Sequence, residues 1–296
     1  MPKSPRFSVH SSTPLMAVIF LKFIVIVGVV ILSTGCSQRA ASSSTALVHN
    51  SFNSVLWMQQ SSNFHATSLQ TYNTATNNLE KAVKDSAWTA IPGQVKQAAS
   101  LPPAVVLDVD ETVLDNTKYH AKIIVENAEY NSQTWDHWLS LQQATATPGA
   151  VSFINHATAA GVEIIYITNR TCKKRTGTKD KCPQKADTIN NLKNVGIEGI
   201  KPANILLKNE QTGWLSEKES RKKLVAQKYR IMMLFGDDLG DFLPNVKKNI
   251  TSEQRADLVT ANEKKWGRVW YMLPNPKYGS WWNVLEEPKM KYLEGY

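Results

Sequence analysis

The chain has 296 residues, enough to bury a substantial core in one large or two modest domains. At 42% hydrophobic and 20% charged residues, its composition excludes wholesale disorder and a polytopic membrane protein. The 34 Lys and Arg against 25 Asp and Glu, +9 at pH 7, suit a nucleic acid, an anionic lipid surface or an anionic substrate, so the placement of that charge has to decide among them.

Lys3, Arg6 and Lys22 precede an apolar run over residues 23–32, which ends in Ser33-Thr34-Gly35-Cys36. This three-part layout predicts a secretory signal over residues 1–35. As a helix the run rises about 15 Å, half a bilayer core, and so falls short of a span unless residues 16–20 join it across Lys22 as an uncleaved anchor. Gly35-Cys36 after small residues resembles a bacterial lipobox, in which the thiol of Cys36 is acylated and becomes the mature N-terminus. Leu32 stands four residues before Cys36 rather than three, so Ser33 fills the preferred leucine slot. Ser37 lacks the aspartate that resembles an inner-membrane retention signal, which favours an outer-membrane lipoprotein facing periplasm or surface over a soluble periplasmic protein. Ser and Ala over residues 36–46 read as a flexible tether.

Residues 47–103 read as a helical segment that packs on a larger core. No Pro or Gly occurs between 46 and 84, and Leu47, Val55, Leu56, Leu69, Tyr72, Leu79 and Val83 keep helical spacing over one or two helices. Leu101-Pro102-Pro103 then leads into a buried-strand run at 104–107. Further strands are predicted at 162–167, 204–207, 230–235 and 268–273, separated by helices near 151–160, 185–195 and 217–227. Such alternation predicts an α/β, Rossmann-like parallel sheet with helices on both faces, spanning 104–285 before a tail at 286–296. Residues 115–147 are too long for a plain connection and are predicted to form a small cap over the carboxyl edge of the sheet, where ligands bind.

The first strand runs into Asp108-Val109-Asp110-Glu111-Thr112. Strand alternation turns Asp108 and Asp110 the same way, and two adjacent carboxylates need a cation or a proton between them: a Mg²⁺ site, or a nucleophile beside a general acid. Gly236-Asp237-Asp238-Leu239-Gly240-Asp241 brings more carboxylates to the same edge, and Thr168-Asn169-Arg170 brings a hydroxyl and an amide. Ser216 and Glu219 have capping-box spacing, which puts Lys218 in a helix's first turn, where a cation is unfavourable unless an anion lies nearby.

These motifs, in this order, resemble the haloacid dehalogenase superfamily and within it the bacterial class C acid phosphatases, the lipoprotein e type of 5'-nucleotidase. The resemblance covers about residues 56–285 and includes Val55-Leu56-Trp57-Met58-Gln59, the run Leu107 to Asn116, and Leu273-Pro274-Asn275-Pro276-Lys277-Tyr278-Gly279. It implies Asp108 as the nucleophile that forms an aspartyl-phosphate, and Asp110 as general acid and then general base. It further implies Mg²⁺ held by Asp108, the backbone carbonyl of Asp110 and Asp237, with Asp241 supporting. Thr168 and Lys218 would bind phosphoryl oxygens, with Asn169 and Arg170 as more distant substrate contacts. Asp238 stands where that family often has Asn. In the resembled nucleotidases two aromatic rings sandwich the base, and the matching positions are Trp135 and Tyr278; the alternative is that these rings merely pack. None of the six His residues is assigned a role. The expected substrate is a nucleoside 5'-monophosphate or a related phosphate ester, with a nonspecific acid phosphatase or a catalytically dead ligand-binding lipoprotein as alternatives; oligomeric state stays open and nucleic acid is not an expected partner.

Removing residues 1–35 takes away three basic residues and leaves +6. The segment 170–185 carries seven basic residues against Asp180 alone, again +6, so the rest of the mature chain is neutral. Cys172 and Cys182 are predicted to close that basic loop as a disulfide in an exported chain, with two free thiols as the alternative. The loop is expected to steer anionic substrates or to touch anionic lipid.

Overall fold

The stretch free of Pro and Gly forms two helices, α1 (Phe52–Gln60) and α2 (Ser62–Lys84), separated at Ser61. Ser61 is extended, and its hydroxyl accepts the Asn63 N–H, which caps α2. Phe64, Ser68, Tyr72, Ala75, Leu79 and Ala82 make one buried stripe along α2. From that stripe Tyr72 stacks on Phe235 at 5.3 Å and donates to the carbonyl of Thr112 at 2.9 Å, so the N-terminal segment braces the loop that carries the carboxylates. Gly149 makes this close approach possible: its φ is +89°, and a Cβ there would lie 2.9 Å from Tyr72 Cβ.

The fold is that of a computed structural model in which residues 49–94 and 98–296 are described. The predicted signal, Cys36 and the predicted tether lie outside the described residues. Residues 47–296 make one compact unit. The remaining elements among the described residues are, in chain order, β1 (Pro103–Leu107), β2 (Leu114–Asp115), α3 (Thr117–Val125), α4 (Ser132–Leu141), β3 (Thr145–Ala146), α5 (Ala150–Ala159), β4 (Glu163–Thr171), α6 (Pro183–Asn194), β5 (Ile205–Lys208), α7 (Glu219–Ala226), β6 (Arg230–Gly236), α8 (Ser252–Ala261), β7 (Trp270–Met272) and α9 (Ser280–Asn283), with short 3₁₀ turns between some of them.

Five parallel strands form the sheet in the order β5-β4-β1-β6-β7. The chain builds outward from β1 through β4 to β5, then returns to the other side through β6 and β7. The crevice where this direction reverses lies at the carboxyl end of β1. There Leu107 pairs with both Tyr166 and Phe235, and the Asp108 N–H donates to the Phe235 carbonyl at 3.0 Å, which aligns three strand ends. All of β6 is buried, as expected for a central parallel strand.

One strand boundary departs from the predicted one in a way that matters. β4 continues past residue 167 to Thr171, so Thr168, Asn169 and Arg170 lie within the strand, where the register with β5 shifts between Thr168 and Thr171. That irregularity re-aims the side chains at the strand end. Residues 115–147 hold α3 and α4 between β2 and β3, which pair antiparallel at the base of the insertion. Among the described residues no helix is long and apolar enough to cross a membrane.

Candidate active site

β1 and β6 place Asp108, Asp237 and Asp241 so that one carboxylate oxygen of each lies within 4.8 Å of the others. Asp241 reaches back because Gly236 has no side chain: a Cβ there would lie 2.2 Å from Asp241 Oδ2. The turn is fastened by a reciprocal cap, in which Asp238 accepts the Gly240 N–H at 2.8 Å and Asp241 accepts the Asp238 N–H at 3.1 Å. Asp238 also accepts from the Ser280 hydroxyl at 2.8 Å and from the Ser280 N–H. These bonds outweigh burial and hold its carboxyl below the ordinary range. Its job is to moor the start of α9, for which the aspartate has enough acceptors. Asp237 is oriented by Thr112 Oγ1 at 3.3 Å and Asn275 Nδ2 at 2.8 Å.

Burial pushes the Asp108 carboxyl up to about 7, with the Lys218 ammonium pulling it down and Asp241 and Asp110 pushing it up further. Burial and the neighbouring carboxylates hold Asp237 well above its ordinary value. Lys218 bonds to Asp108 and lies 2.7 Å from Asp241; burial alone would lower its pKa, but those two carboxylates raise it. An acid raised in the folded state contributes stability below its ordinary 3.8 that is lost as pH rises through about 7. In chelator, the wild type is therefore expected to lose more Tm between pH 5 and pH 7.5 than Asp108→Asn does, a comparison in which the opposite contribution of His120 cancels. An equal loss by calorimetry would mean that Lys218 already neutralises the cluster.

The predicted capping box does not form. α7 begins at Glu219 with Lys218 as its N-cap and no side-chain cap, while the Ser216 carbonyl accepts from Asn169 Nδ2 at 3.1 Å and Lys247 Nζ at 2.8 Å. Lys218 instead turns into the site, toward the anion its unfavourable helix position hinted at. Arg170 also departs from its predicted substrate contact. Its guanidinium is 1% exposed, bonds Asp110 through Nε at 3.0 and 3.2 Å and Nη2 at 2.8 Å, and reaches Thr188 at 3.1 Å, so its donors are spent on Asp110 and α6. Asp110 therefore faces Arg170 rather than the three clustered carboxylates. Thr168 is buried, with its hydroxyl 3.5 Å from Asp110 and accepting the Arg170 N–H at 3.0 Å. Asn169 is bound between Ser216 and Arg221, whose Nη2 lies 2.9 Å from its Oδ1.

Several pairings that shape the site carried no local signal. Glu111, at φ +59°, forms a fully buried ion pair with Lys277 at 2.7 Å across 166 residues and accepts from the Tyr278 hydroxyl. Tyr278 is 37% exposed, and its ring stacks on His120 at 5.1 Å. His120 belongs to the cap insertion and meets Tyr119 at 5.4 Å, which meets Trp135 edge-on at 5.0 Å. Trp135 and Tyr278 are thus linked through Tyr119 and His120 in one run of ring contacts. Burial and the nearby Lys277 push His120 down to about 4, so it is neutral at physiological pH.

Cys172 and Cys182 are joined as a disulfide, with Cα atoms 4.7 Å apart. The basic loop they close is less free than its composition suggests. Arg175 bonds Asp136 of α4 at 2.9 and 3.0 Å and Asp187 of α6 at 2.8 Å, and Lys185 pairs with Glu210 at 2.5 Å. Part of the local positive charge is therefore spent on fastening the cap to the core.

The family model of the HAD superfamily, subfamily IIIB (acid phosphatase), matches residues 34–281. Two structures of the class C acid phosphatase from Bacillus anthracis, one with tungstate bound, superpose with a TM-score of 0.67 at 29% and 30% identity, covering 82% of this chain and 96% of theirs. The stem 28 kDa and stem 31 kDa glycoproteins of Glycine max are each 29% identical over 143 residues, 47% of this chain. The match spans 52% and 45% of those curated relatives, about half their length. With its parallel sheet, its aspartates at the carboxyl edge and a family match over most of its length, the chain belongs to subfamily IIIB of the HAD superfamily, the acid phosphatases, which are phosphomonoester hydrolases.

Proposed function

We propose that the protein is a Mg²⁺-dependent phosphomonoesterase that hydrolyses nucleoside 5'-monophosphates and related esters in two displacements. The observation that carries this reading is the close juxtaposition of Asp108, Asp237, Asp241 and Lys218 at the sheet's switch point. Three carboxylate oxygens form a hard donor set suited to Mg²⁺, and one ammonium leaves their summed charge uncompensated. Bound there, the cation would neutralise the carboxylates and the phosphoryl oxygens.

In the first displacement an Asp108 oxygen bonds to phosphorus as the ester P–O bond breaks, and Asp110 gives its proton to the leaving oxygen. In the second, Asp110 takes a proton from the water whose oxygen attacks phosphorus, which frees Asp108 and inorganic phosphate. Thr168 and Lys218 donate to phosphoryl oxygens and stabilise the charge that develops there.

Nucleotide preference rests on the run of ring contacts and the exposure of Tyr278. One face of that ring is already covered by His120, and its hydroxyl is taken by Glu111, which favours a broader acid phosphatase as the second reading. Phosphate release from a nucleoside monophosphate, an aryl phosphate and a sugar phosphate, each with and without Mg²⁺, tests both readings. The expected result is Mg²⁺-dependent release with the nucleotide cleaved best, and Trp135→Ala lowering kcat/KM for the nucleotide by about 10-fold, as loss of base stacking does, while sparing the sugar phosphate. Equal efficiency on all three would leave a nonspecific phosphatase; no release at all would leave a binding protein.

Export and a lipid anchor complete the proposal, supported by the Gly35-Cys36 motif. Mass spectrometry of the mature N-terminal peptide should find acylated Cys36, and Cys36→Ser should move the protein from the membrane to the soluble fraction. An unmodified Cys36 would reduce the proposal to a periplasmic enzyme.

A further inference from the structure

Asn116 is fully buried between the cap and the proposed general acid. Its Nδ2 donates to Asp110 Oδ1 at 2.9 Å, and its Oδ1 accepts the indole N–H of Trp138, on cap helix α4, at 2.8 Å. An indole nitrogen can only donate and the Leu114 carbonyl, 3.4 Å from Nδ2, can only accept, so Trp138 fixes the oxygen side of the Asn116 amide and Leu114 supports the nitrogen side. With its oxygen turned to Trp138, the amide presents its N–H₂ to Asp110; turned over, it would place an oxygen against the carboxylate. Arg170 holds the same carboxylate from the core side. The helix that carries Trp138 is itself clamped through Asp136, which accepts from Arg175 and, at 2.7 Å, from Gln184 of α6. One turn before Trp138 it carries Trp135.

We propose that Asn116 and Trp138 are positioning residues that aim Asp110 at the leaving oxygen, so that the seating of cap helix α4 sets the efficiency of proton delivery. The inference rests on the reading of Asp110 as general acid. It assigns to the cap a part in the chemical step as well as in substrate contact.

The experiment compares the full-length wild type with Trp138→Phe, which keeps an aromatic ring in place but removes the N–H. Asn116→Ser, which leaves Trp138 packed, serves as the second variant, and Asp110→Asn as the reference. kcat/KM is measured with Mg²⁺ on phenyl phosphate and on 4-nitrophenyl phosphate. This constant reports the first displacement, in which a poor leaving group needs the proton more. Misplacing a general acid steepens that dependence, and its complete loss costs about 10²- to 10⁴-fold. Both positioning variants are expected to lower the phenyl to nitrophenyl ratio by at least about 3-fold, with Asp110→Asn shifting it further in the same direction. If Asp110→Asn shifts the ratio and the positioning variants lower both substrates equally or neither, the relay is refuted and the general-acid reading stands. If Asp110→Asn leaves the ratio unchanged, the general-acid reading falls and the relay with it.

Discussion

Asp108→Asn is expected to lower kcat by on the order of 10⁴-fold or more, because it removes the atom proposed to bond to phosphorus. Rapid acid quench of the wild type during turnover should trap an acyl-phosphate that is absent from the variant. Misfolding is separable from this loss. Asp108 is buried with its pKa pushed up to about 7, so the neutral amide relieves carboxylate crowding. The metal-free variant should therefore melt no lower than the wild type at pH 7.5, with its pH dependence between 5 and 7.5 flattened. Substantial turnover by Asp108→Asn would sink the nucleophile assignment, whatever its melting temperature.

The largest expected effect on stability is at Lys277, far from Asp108 in sequence but joined to its loop through Glu111. Lys277→Met leaves a buried carboxylate without its cation, which costs about 3–5 kcal/mol. For a protein of this size that lowers Tm by roughly 6–20 °C. Burial alone would raise the Glu111 pKa, but the Lys277 ammonium holds it below the ordinary value. A depressed acid contributes stability above its ordinary 4.5 that is lost as pH falls through the folded value. In the variant, burial raises the Glu111 pKa against only the Tyr278 hydroxyl and His120, so the Tm gap should narrow as pH falls from 7 toward 4.5 and protonation removes the unpaired charge. Glu111→Gln together with Lys277→Met should recover much of the loss, since the amide oxygen can still accept from the Asn116 N–H that Glu111 accepts at 2.9 Å. A double variant as unstable as Lys277→Met would show that packing, not charge, holds residues 274–279 against the Asp110 loop.

Asp108 and Asp237 were legible because each follows a buried apolar run, and a parallel sheet must end such strands along one edge. The strands at 104–107 and 230–235 are recognisable for the same reason: their burial is local and continuous. Lys218 could be flagged from its charge at a helix start, although the supporting argument, a Ser216 cap, does not hold; its partners are two carboxylates that the chain reaches by other routes. Arg170 shows the opposite case. Its residue type suits phosphate as well as carboxylate, and only the extension of β4 past its irregular register points the guanidinium at Asp110.

Sequence by itself determined the alternating elements, the carboxylates and lysine of the site, and their delivery to one sheet edge, because periodicity and chain direction are local properties. Tertiary structure alone decided which polar groups meet. Glu111 finds Lys277, Asn116 stands between Asp110 and Trp138, and His120 covers a face of Tyr278, since each pairing depends on loop paths and on the docking of the cap. Buried polar groups must find partners wherever the fold brings them, and residue spacing does not encode those distances.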